Sequence, residues 1–316
     1  MTVKTIVVLD AATMRGELSR PSFPHEWISH PLTSPGDTAA RIRDAHAVIT
    51  NKAPVRGEDL AAAANLELIA VAATGADIID LAACRAAGIS VCNVRNYASR
   101  SVAEHAMALI LCLSRGVLEH HRRATSGEWA KSPVFSPDMG KISNIYGMQI
   151  GIVGAGALGR ETARLAEALG MRAVFLRRGG ANDSLPRLPL AELFATSDVV
   201  SLHCPLADDT RGFIGEKTLA MMKPGALLIN TARGALVDSA ALADALQRGA
   251  LGGAGIDVLP EEPPPEDDPL LNCGLPNLII TPHVAWASAQ SLRTFHSQLR
   301  DNIENFYRGA PQNTLA

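Results

Sequence analysis

The chain has 316 residues, a length that fits about two domains. With 47% hydrophobic and 19% charged residues it has the balance of a folded enzyme, not of a disordered chain. A net charge of −3 argues against nucleic acid and anionic membranes as partners, and the longest apolar run, Ala106 to Leu113, is too short to span a bilayer. The opening segment MTVKTIVVLDAA reads as a strand and a loop rather than a secretory signal. Five scattered cysteines without a C-x-x-C pair read as reduced thiols of a cytoplasmic protein, and no metal site is expected.

In chain order, the spacing predicts strands at Val3–Leu9, Ala47–Thr50, Leu66–Ala72 and Ile89–Val94, with helices at Thr38–Asp44, Arg56–Ala64 and, after Asp77, on to Ala87. Residues 11–37, rich in Pro, Ser and His, read as loop with short turns. This alternation means a small parallel α/β domain, in which ligands collect beyond the carboxyl ends of the strands. The loop Ala73-Thr74-Gly75-Ala76 lies at such an end, so its N–H groups are candidates for holding a substrate carboxylate. A plain strand–helix turn is the bland alternative.

From Ser101 the run SVAEHAMALILCLSRGVLEHHRR predicts one long helix, started by a capping box of Ser101 and Glu104. Its apolar residues wrap too far round for a surface helix, so it is buried or paired with a second subunit. His105, His120 and His121 ride on it as packing or surface residues. Residues 124–147, with Trp129, Phe135 and Tyr146, form an irregular arm suited to a dimer contact.

The stretch QIGIVGAGALGRETARLAEALGMRAVFLRR follows, Gln149 to Arg178. A buried strand, Ile150–Val153, leads into Gly154, Gly156 and Gly159 in G-x-G-x-x-G spacing. Leu158, Thr162, Leu165, Ala166 and Leu169 then share one helical face, Gly170 ends the helix, and a second strand runs from Ala173 to Leu176. Inside a β-α-β unit of ~30 residues this spacing is a dinucleotide signature, with the pyrophosphate on the free N–H groups of the helix N-terminus. Where an NAD-binding unit carries an acid for the ribose hydroxyls, this chain has Arg177 and Arg178. A guanidinium forks onto a 2′-phosphate that a carboxylate would repel, so NADP(H) is expected over NAD(H).

The alternation resumes with strands at Val199–Cys204, Ala226–Ile229, Ala254–Val258 and Leu278–Ile280 and helices at Leu190–Ala195, Gly215–Met222 and Ala240–Arg248. That makes a doubly wound sheet of at least six strands. Glu261–Pro269 is an acidic, proline-rich loop, and Ser288–Tyr307 is one amphipathic helix expected to return to the first domain. The fold expected is therefore α/β with two doubly wound, Rossmann-like parallel sheets. Residues 1–99 and 287–316 form the smaller, discontinuous substrate domain, and residues 100–286 the larger dinucleotide domain. Closure of a crevice places hinges near residues 98–101 and 286–288.

Three strand ends carry the chemistry: Asn230-Thr231-Ala232-Arg233-Gly234, Asp257 to Pro263, and Thr281 to Trp286. Arg233 can fork onto a carboxylate and polarise the adjacent carbonyl. His283 can hand a proton to the oxygen as hydride reaches carbon, and a carboxylate at Glu262 favours the charged imidazole that does so. Taken singly each has a bland reading, as salt-bridge, loop or cap residue; together, behind a dinucleotide motif, they read as a hydroxy-acid redox site.

The motifs SVAEHAMAL, GIVGAGALGR, LHCPLADDTRGFIG, MKPGALLINTARGALVD, GAGIDVLPEEPP and TPHVAW resemble the D-isomer-specific 2-hydroxyacid dehydrogenase family over essentially the whole chain. The resemblance implies Arg233 as carboxylate binder, Glu262 as dyad acid, His283 as general acid/base and Ala73–Ala76 as the backbone substrate loop. Alongside Gly154, Ala155, Gly156, Ala157, Leu158, Gly159, Arg177 and Arg178, the candidate cofactor residues are Val102, His203, Cys204, Pro205, Thr210, Thr231, Ala232, Arg233, Asp257, His283 and Ala285. The resemblance also implies a homodimer through the nucleotide domain. TPHVAWASAQSLRTFHSQLRDNIENFYRGAPQN and AVAATGADIIDLAACRAAGISVCNV look most like the glycerate dehydrogenase (hydroxypyruvate reductase) branch. Trp286 belongs to that likeness, either narrowing the substrate site toward small 2-oxo acids or packing at a hinge. Two departures stand out. Arg177 replaces the acid usual in NAD-linked members, and the sequence stops at Ala316 without the regulatory domain of some phosphoglycerate dehydrogenases. Formate dehydrogenases lack the Glu that Glu262 supplies. The alternatives are a dehydrogenase using NADH on a different or bulkier 2-oxo acid, and a dehydrogenase-like scaffold that senses the nucleotide without significant turnover.

Overall fold

The computed structural model describes residues 3–138, 140, 142–177 and 184–316. It divides into two compact units, residues 1–98 with 287–316, and residues 99–286.

The first unit holds a five-stranded sheet of β1 (Lys4–Val8), β2 (His25–Ser29), β3 (Ala47–Thr50), β4 (Leu68–Val71) and β5 (Ser90–Asn93). All pairs are parallel, in the order β2-β1-β3-β4-β5. Side chains of a strand alternate between faces, and here both faces are apolar. Val7, Val48, Ile69 and Val91 enter one core. Ile6, Val8, Ile49, Leu68 and Ala70 enter the other, where Phe295, Leu299 and Ile303 of the helix Ala289–Tyr307 cover them. The final amphipathic helix thus completes this unit. Residues 11–37 are not loop throughout, because β2 lies among them. An edge strand leaves half its surface open, and only Trp27 and Ile28 of HEWIS signal burial, so periodicity is too weak to reveal it. The other edge is covered by residues near 314: Thr314 bridges Cys92 antiparallel, Leu315 N–H donates to Val91 O, and Val91 N–H donates to Ala316 O.

The second unit carries a seven-stranded parallel sheet of β6 (Gln149–Val153), β7 (Arg172–Leu176), β8 (Arg187–Leu188), β9 (Val199–Leu202), β10 (Leu227–Asn230), β11 (Gly253–Ile256) and β12 (Leu278–Ile280). Their order is β12-β11-β10-β9-β6-β7-β8. The two-residue β8 is the strand that periodicity could not show. The order reverses between β6 and β9, and at such a switch point ligands bind beyond the strand ends.

Three helical expectations need correction. The predicted long helix is two, Ser99–Arg115 and Val117–Thr125, bent by 58° at Gly116, whose φ of +60° no helix interior accepts. Ser101 does not cap it: the helix begins at Ser99, and Ser101 Oγ donates to Ala285 O at 2.6 Å. The helix Ala157–Ala168 buries Gly159, Thr162, Ala163 and Ala166, while Leu169 is exposed. Small residues on that face let it lie against the helix Ser99–Arg115. No single helix among the described residues is long and apolar enough to cross a membrane.

Candidate active site

The glycine turn after β6 is dictated by backbone crowding. Gly154 has φ +118°, and a Cβ on it would stand 2.5 Å from the carbonyl oxygen of His203, at the end of the neighbouring β9. A Cβ on Gly159 would lie 2.0 Å from Gly154 O. Gly156 differs: a Cβ there meets nothing within 4 Å. It is the N-cap of the helix Ala157–Ala168, and no side chain caps that helix. The free N–H groups of the first turn therefore open onto unfilled space.

Beyond β9 and β10, the centre of the sheet, two buried side-chain atoms have no hydrogen-bond partner among the described residues: His203 Nδ1 and Thr231 Oγ1. His203 Nε2 bonds Ser201 Oγ at 2.9 Å. Burial pushes the His203 pKa down to about 4, so the ring is neutral at physiological pH. Cys204 and Ala232, at the same strand ends, are buried, as are Val102 in the helix Ser99–Arg115 and Ala285 after β12, whereas Pro205 is exposed. The Thr210 hydroxyl closes its own loop, donating toward Pro205 O and accepting from Ala207 N–H. At the end of β7, Arg177 is exposed and its guanidinium donates to Arg187 O at 3.3 Å, while Arg187 Nη1 donates to Leu176 O at 3.1 Å. Arg178 lies outside the described residues.

Arg233, Glu262 and His283 sit beyond β10, β11 and β12 respectively. Asn230, fully buried at the end of β10, accepts from Ala232 N–H at 3.0 Å and donates to Arg233 O at 2.9 Å, which shapes the turn that presents the exposed Arg233. The next residue, Gly234, lies on the peptide between Leu259 and Pro260. A Cβ there would come 1.9 Å from Leu259 C. The Arg233 turn and the loop carrying Glu262 are thus in backbone contact. Glu262 Oε1 accepts from Leu259 N–H at 3.0 Å, and Oε2 accepts from His283 Nδ1 at 2.6 Å. Because an ionised carboxylate only accepts, the proton sits on Nδ1, and Nε2 faces away from Glu262.

Asp257, 1% exposed, fixes the loop that carries His283. Its carboxylate accepts from Thr281 Oγ1 (2.5 Å), Val284 N–H and Ala285 N–H (2.9 Å each), and its carbonyl accepts from His283 N–H at 2.8 Å. His283 itself adopts φ +50°, an uncommon conformation that this set of bonds maintains. His105, read from sequence as a packing residue, reaches in from the helix Ser99–Arg115 to bond Thr281 Oγ1 at 3.0 Å, with Asp257 Oδ1 3.5 Å away. Trp286 Nε1 donates to His283 O at 2.9 Å, a second tie on the same turn. The sequence does not show these roles of Gly234 and His105, since their partners, Leu259 and Thr281, are distant in sequence.

In the other unit, Ala73, Gly75 and Ala76 are half-buried and Thr74 is exposed, directly after β4. The N–H groups of Thr74, Gly75 and Ala76 have no acceptor among the described residues.

Residues 107–285 match the family model described as "D-isomer specific 2-hydroxyacid dehydrogenase, NAD binding domain". The chain is 43% identical over 316 residues to glycerate dehydrogenase of Methylorubrum extorquens, with 99% of each chain covered. Among solved structures, a protein from Thermus thermophilus aligns with a TM-score of 0.88 and 32% identity, over 99% of this chain and all of that one. An acyclic imino acid reductase, solved with NADPH and D-Arg, aligns with a TM-score of 0.84 and 27% identity over 99% of this chain and 100% of that one. This chain belongs to the D-isomer-specific 2-hydroxyacid dehydrogenase family. Its cofactor is a nicotinamide dinucleotide. The uncapped helix, the open space at Gly156 and the orphaned His203 Nδ1 and Thr231 Oγ1 fit such a group.

Proposed function

We propose that the chain reduces a small 2-oxo acid, of the hydroxypyruvate or glyoxylate type, to a D-2-hydroxy acid with NADPH. The observation that carries this reading is the 2.6 Å pair of Glu262 and His283, on loops held together with Arg233 by Gly234 and Asp257. With Nδ1 bonded to Glu262, Nε2 of the charged ring is the outward donor. When bound, the reduced nicotinamide supplies the hydride. As carbon accepts it, the carbonyl electron pair moves to oxygen, and His283 Nε2 delivers the proton there. Glu262 stabilises the imidazolium before transfer. Arg233 grips the substrate carboxylate and polarises the carbonyl. In the smaller unit, the free amides of residues 74–76 are donors suited to a substrate carboxylate.

Residues 1–99 and 287–316 then serve as the substrate domain and 100–286 as the dinucleotide domain. Gly154 to Gly159 hold the pyrophosphate, with Val102, His203 to Pro205, Thr210, Thr231, Ala232, Asp257 and Ala285 lining the dinucleotide. Arg177 at the end of β7 supports NADPH, as does the NADPH-bound imino acid reductase of the same fold. Similarity to a glycerate dehydrogenase supports a three-carbon or smaller substrate. The exposed Trp129, Phe135 and Tyr146 of the irregular arm support a homodimer through this unit, and five free cysteines agree with a reducing cytoplasm.

The test is loss of nicotinamide absorbance with glyoxylate, hydroxypyruvate, pyruvate and a bulky branched 2-oxo acid, each with NADPH and NADH. The small acids should turn over fastest, with the lower KM for NADPH. Tight nucleotide binding without turnover would favour the sensing scaffold instead, and a clear NADH preference would remove the role given to Arg177.

A further inference from the structure

The free amides of the 73–76 loop are aimed by groups far from it in sequence. In a trans peptide, the carbonyl of one residue and the N–H of the next point in opposite directions. Fixing a carbonyl therefore fixes the following N–H. Val94 N–H donates to Ala73 O at 3.3 Å, which sets the N–H of Thr74. Asn93 Nδ2 donates to Thr74 O at 2.7 Å, which sets the N–H of Gly75.

Asn93 is 4% exposed, and every polar atom it has is committed. Its Oδ1 accepts from Arg95 Nε at 2.9 Å. The rest of its bonds close a ring of three asparagines drawn from three parts of the unit. Asn93 N–H donates to Asn313 O at 3.2 Å, Asn313 Nδ2 donates to Asn302 Oδ1 at 3.0 Å, and Asn302 Nδ2 donates back to Asn93 O at 2.8 Å. Asn302 is 2% exposed on the helix Ala289–Tyr307. Asn313 adopts φ +53°, a conformation asparagine tolerates better than most residues. Each ring member donates one bond and accepts one. Only an amide side chain does both at Asn302. An aspartate at Asn313 would lose its ring donor, and one at Asn93 would keep its backbone ring bonds but lose the Nδ2 bond to Thr74 O.

We propose that Asn93 is a positioning residue for substrate binding, and that the Asn302–Asn313 pair holds it in place so that the Gly75 N–H faces the substrate carboxylate. The inference rests on the reading of residues 73–76 as the carboxylate loop. It makes residues 302 and 313, neither of them among the candidate site residues read from the sequence, contributors to substrate affinity.

Steady-state reduction of hydroxypyruvate and glyoxylate at saturating NADPH tests it, using Asn93→Asp, Asn302→Asp and the half-buried Asn313→Ala in the full chain. Loss of one bond should raise KM about fivefold, and the inhibition constant of oxamate, a carboxylate that is not turned over, by the same factor. kcat should fall far less, and the Kd for NADPH should not move. A purely structural role would lower Tm and the active fraction while KM and the oxamate constant stayed put, and that result overturns the inference. Should Asn93→Asp fail to fold, Asn313→Ala carries the same test. No turnover of any 2-oxo acid by the unaltered chain would overturn both this inference and the reading beneath it.

Discussion

His283 and His203 show how the same side chain is put to opposite uses by its surroundings. His283 is partly open, with Nδ1 on a carboxylate, an arrangement that suits carrying and releasing a proton. His203 is enclosed at the end of β9 and held neutral. Replacing His283 by Ala should lower kcat by roughly 10²–10⁴ while fluorescence titration finds NADPH affinity intact. Arg233→Lys keeps the charge but loses the planar fork, so KM should rise and kcat fall together, by about tenfold or more in kcat/KM. The depressed pKa of His203 has a stability consequence. Below the pKa of an unfolded histidine, near 6.5, the unfolded chain takes up a proton that the folded chain refuses until about pH 4. Stability present above pH 6.5 is therefore lost as pH falls toward 4, on the order of 3 kcal/mol from this group. Thermal melts from pH 7 to 4.5 should show a shallower decline for His203→Asn than for the unaltered chain. At this scale the pairing of Glu262 with His283 and the turn that presents Arg233 were legible because each residue stands in a distinctive strand-end motif. Asp257 was legible only as a candidate contact of the dinucleotide. Its work in holding residues 281–285, and the support of His105 from 176 positions away, exist only once the chain is folded.

Gly156 and Gly159 separate two reasons for a glycine within one turn. At Gly159 the conflict is internal, since the added carbon strikes the Gly154 carbonyl. Gly159→Ala should cost on the order of 1–3 kcal/mol or more in stability, read as a lower denaturant midpoint. At Gly156 the chain leaves room and the backbone is extended, so Gly156→Ala should fold normally. If a pyrophosphate packs there, calorimetry should find its NADPH affinity at least about tenfold weaker, the equivalent of about 1.4 kcal/mol. Unchanged affinity would remove the nucleotide from that surface. The alternation of strands and helices could be read from sequence because parallel strands buried on both faces are short apolar runs between glycines and polar turns. What escaped were the half-exposed β2, the two-residue β8 and the break at Gly116. Each is decided by an edge, a pairing or a dihedral angle rather than by local hydrophobicity.

For the molecule as a whole, the arm between residues 126 and 147 is the outlying feature. Phe135 is 91% exposed and Tyr146 83%, the highest values among the exposed large hydrophobic side chains of the described residues. If a second copy covers them, Phe135→Asp should convert a dimer to a monomer in light scattering while the fold, followed by circular dichroism, persists. A monomeric unaltered chain would remove the dimer. The two-sheet organisation could be anticipated from length and from the alternation of strands and helices. The asparagine ring could not, because its members are separated by 209 and 11 positions and look ordinary in each local context. The trio Arg233, Glu262 and His283, with its supporting Asp257, lies wholly within residues 230–286 of one unit, while the 73–76 loop comes from another with its own cores. If the 73–76 loop selects the substrate and His283 donates the proton, as proposed, appetite for one acid or another can drift through replacements in the smaller unit while residues 230–286 are inherited untouched. A chimera that imports the smaller unit of a relative should keep its donor's taste in substrates and this chain's choice of coenzyme.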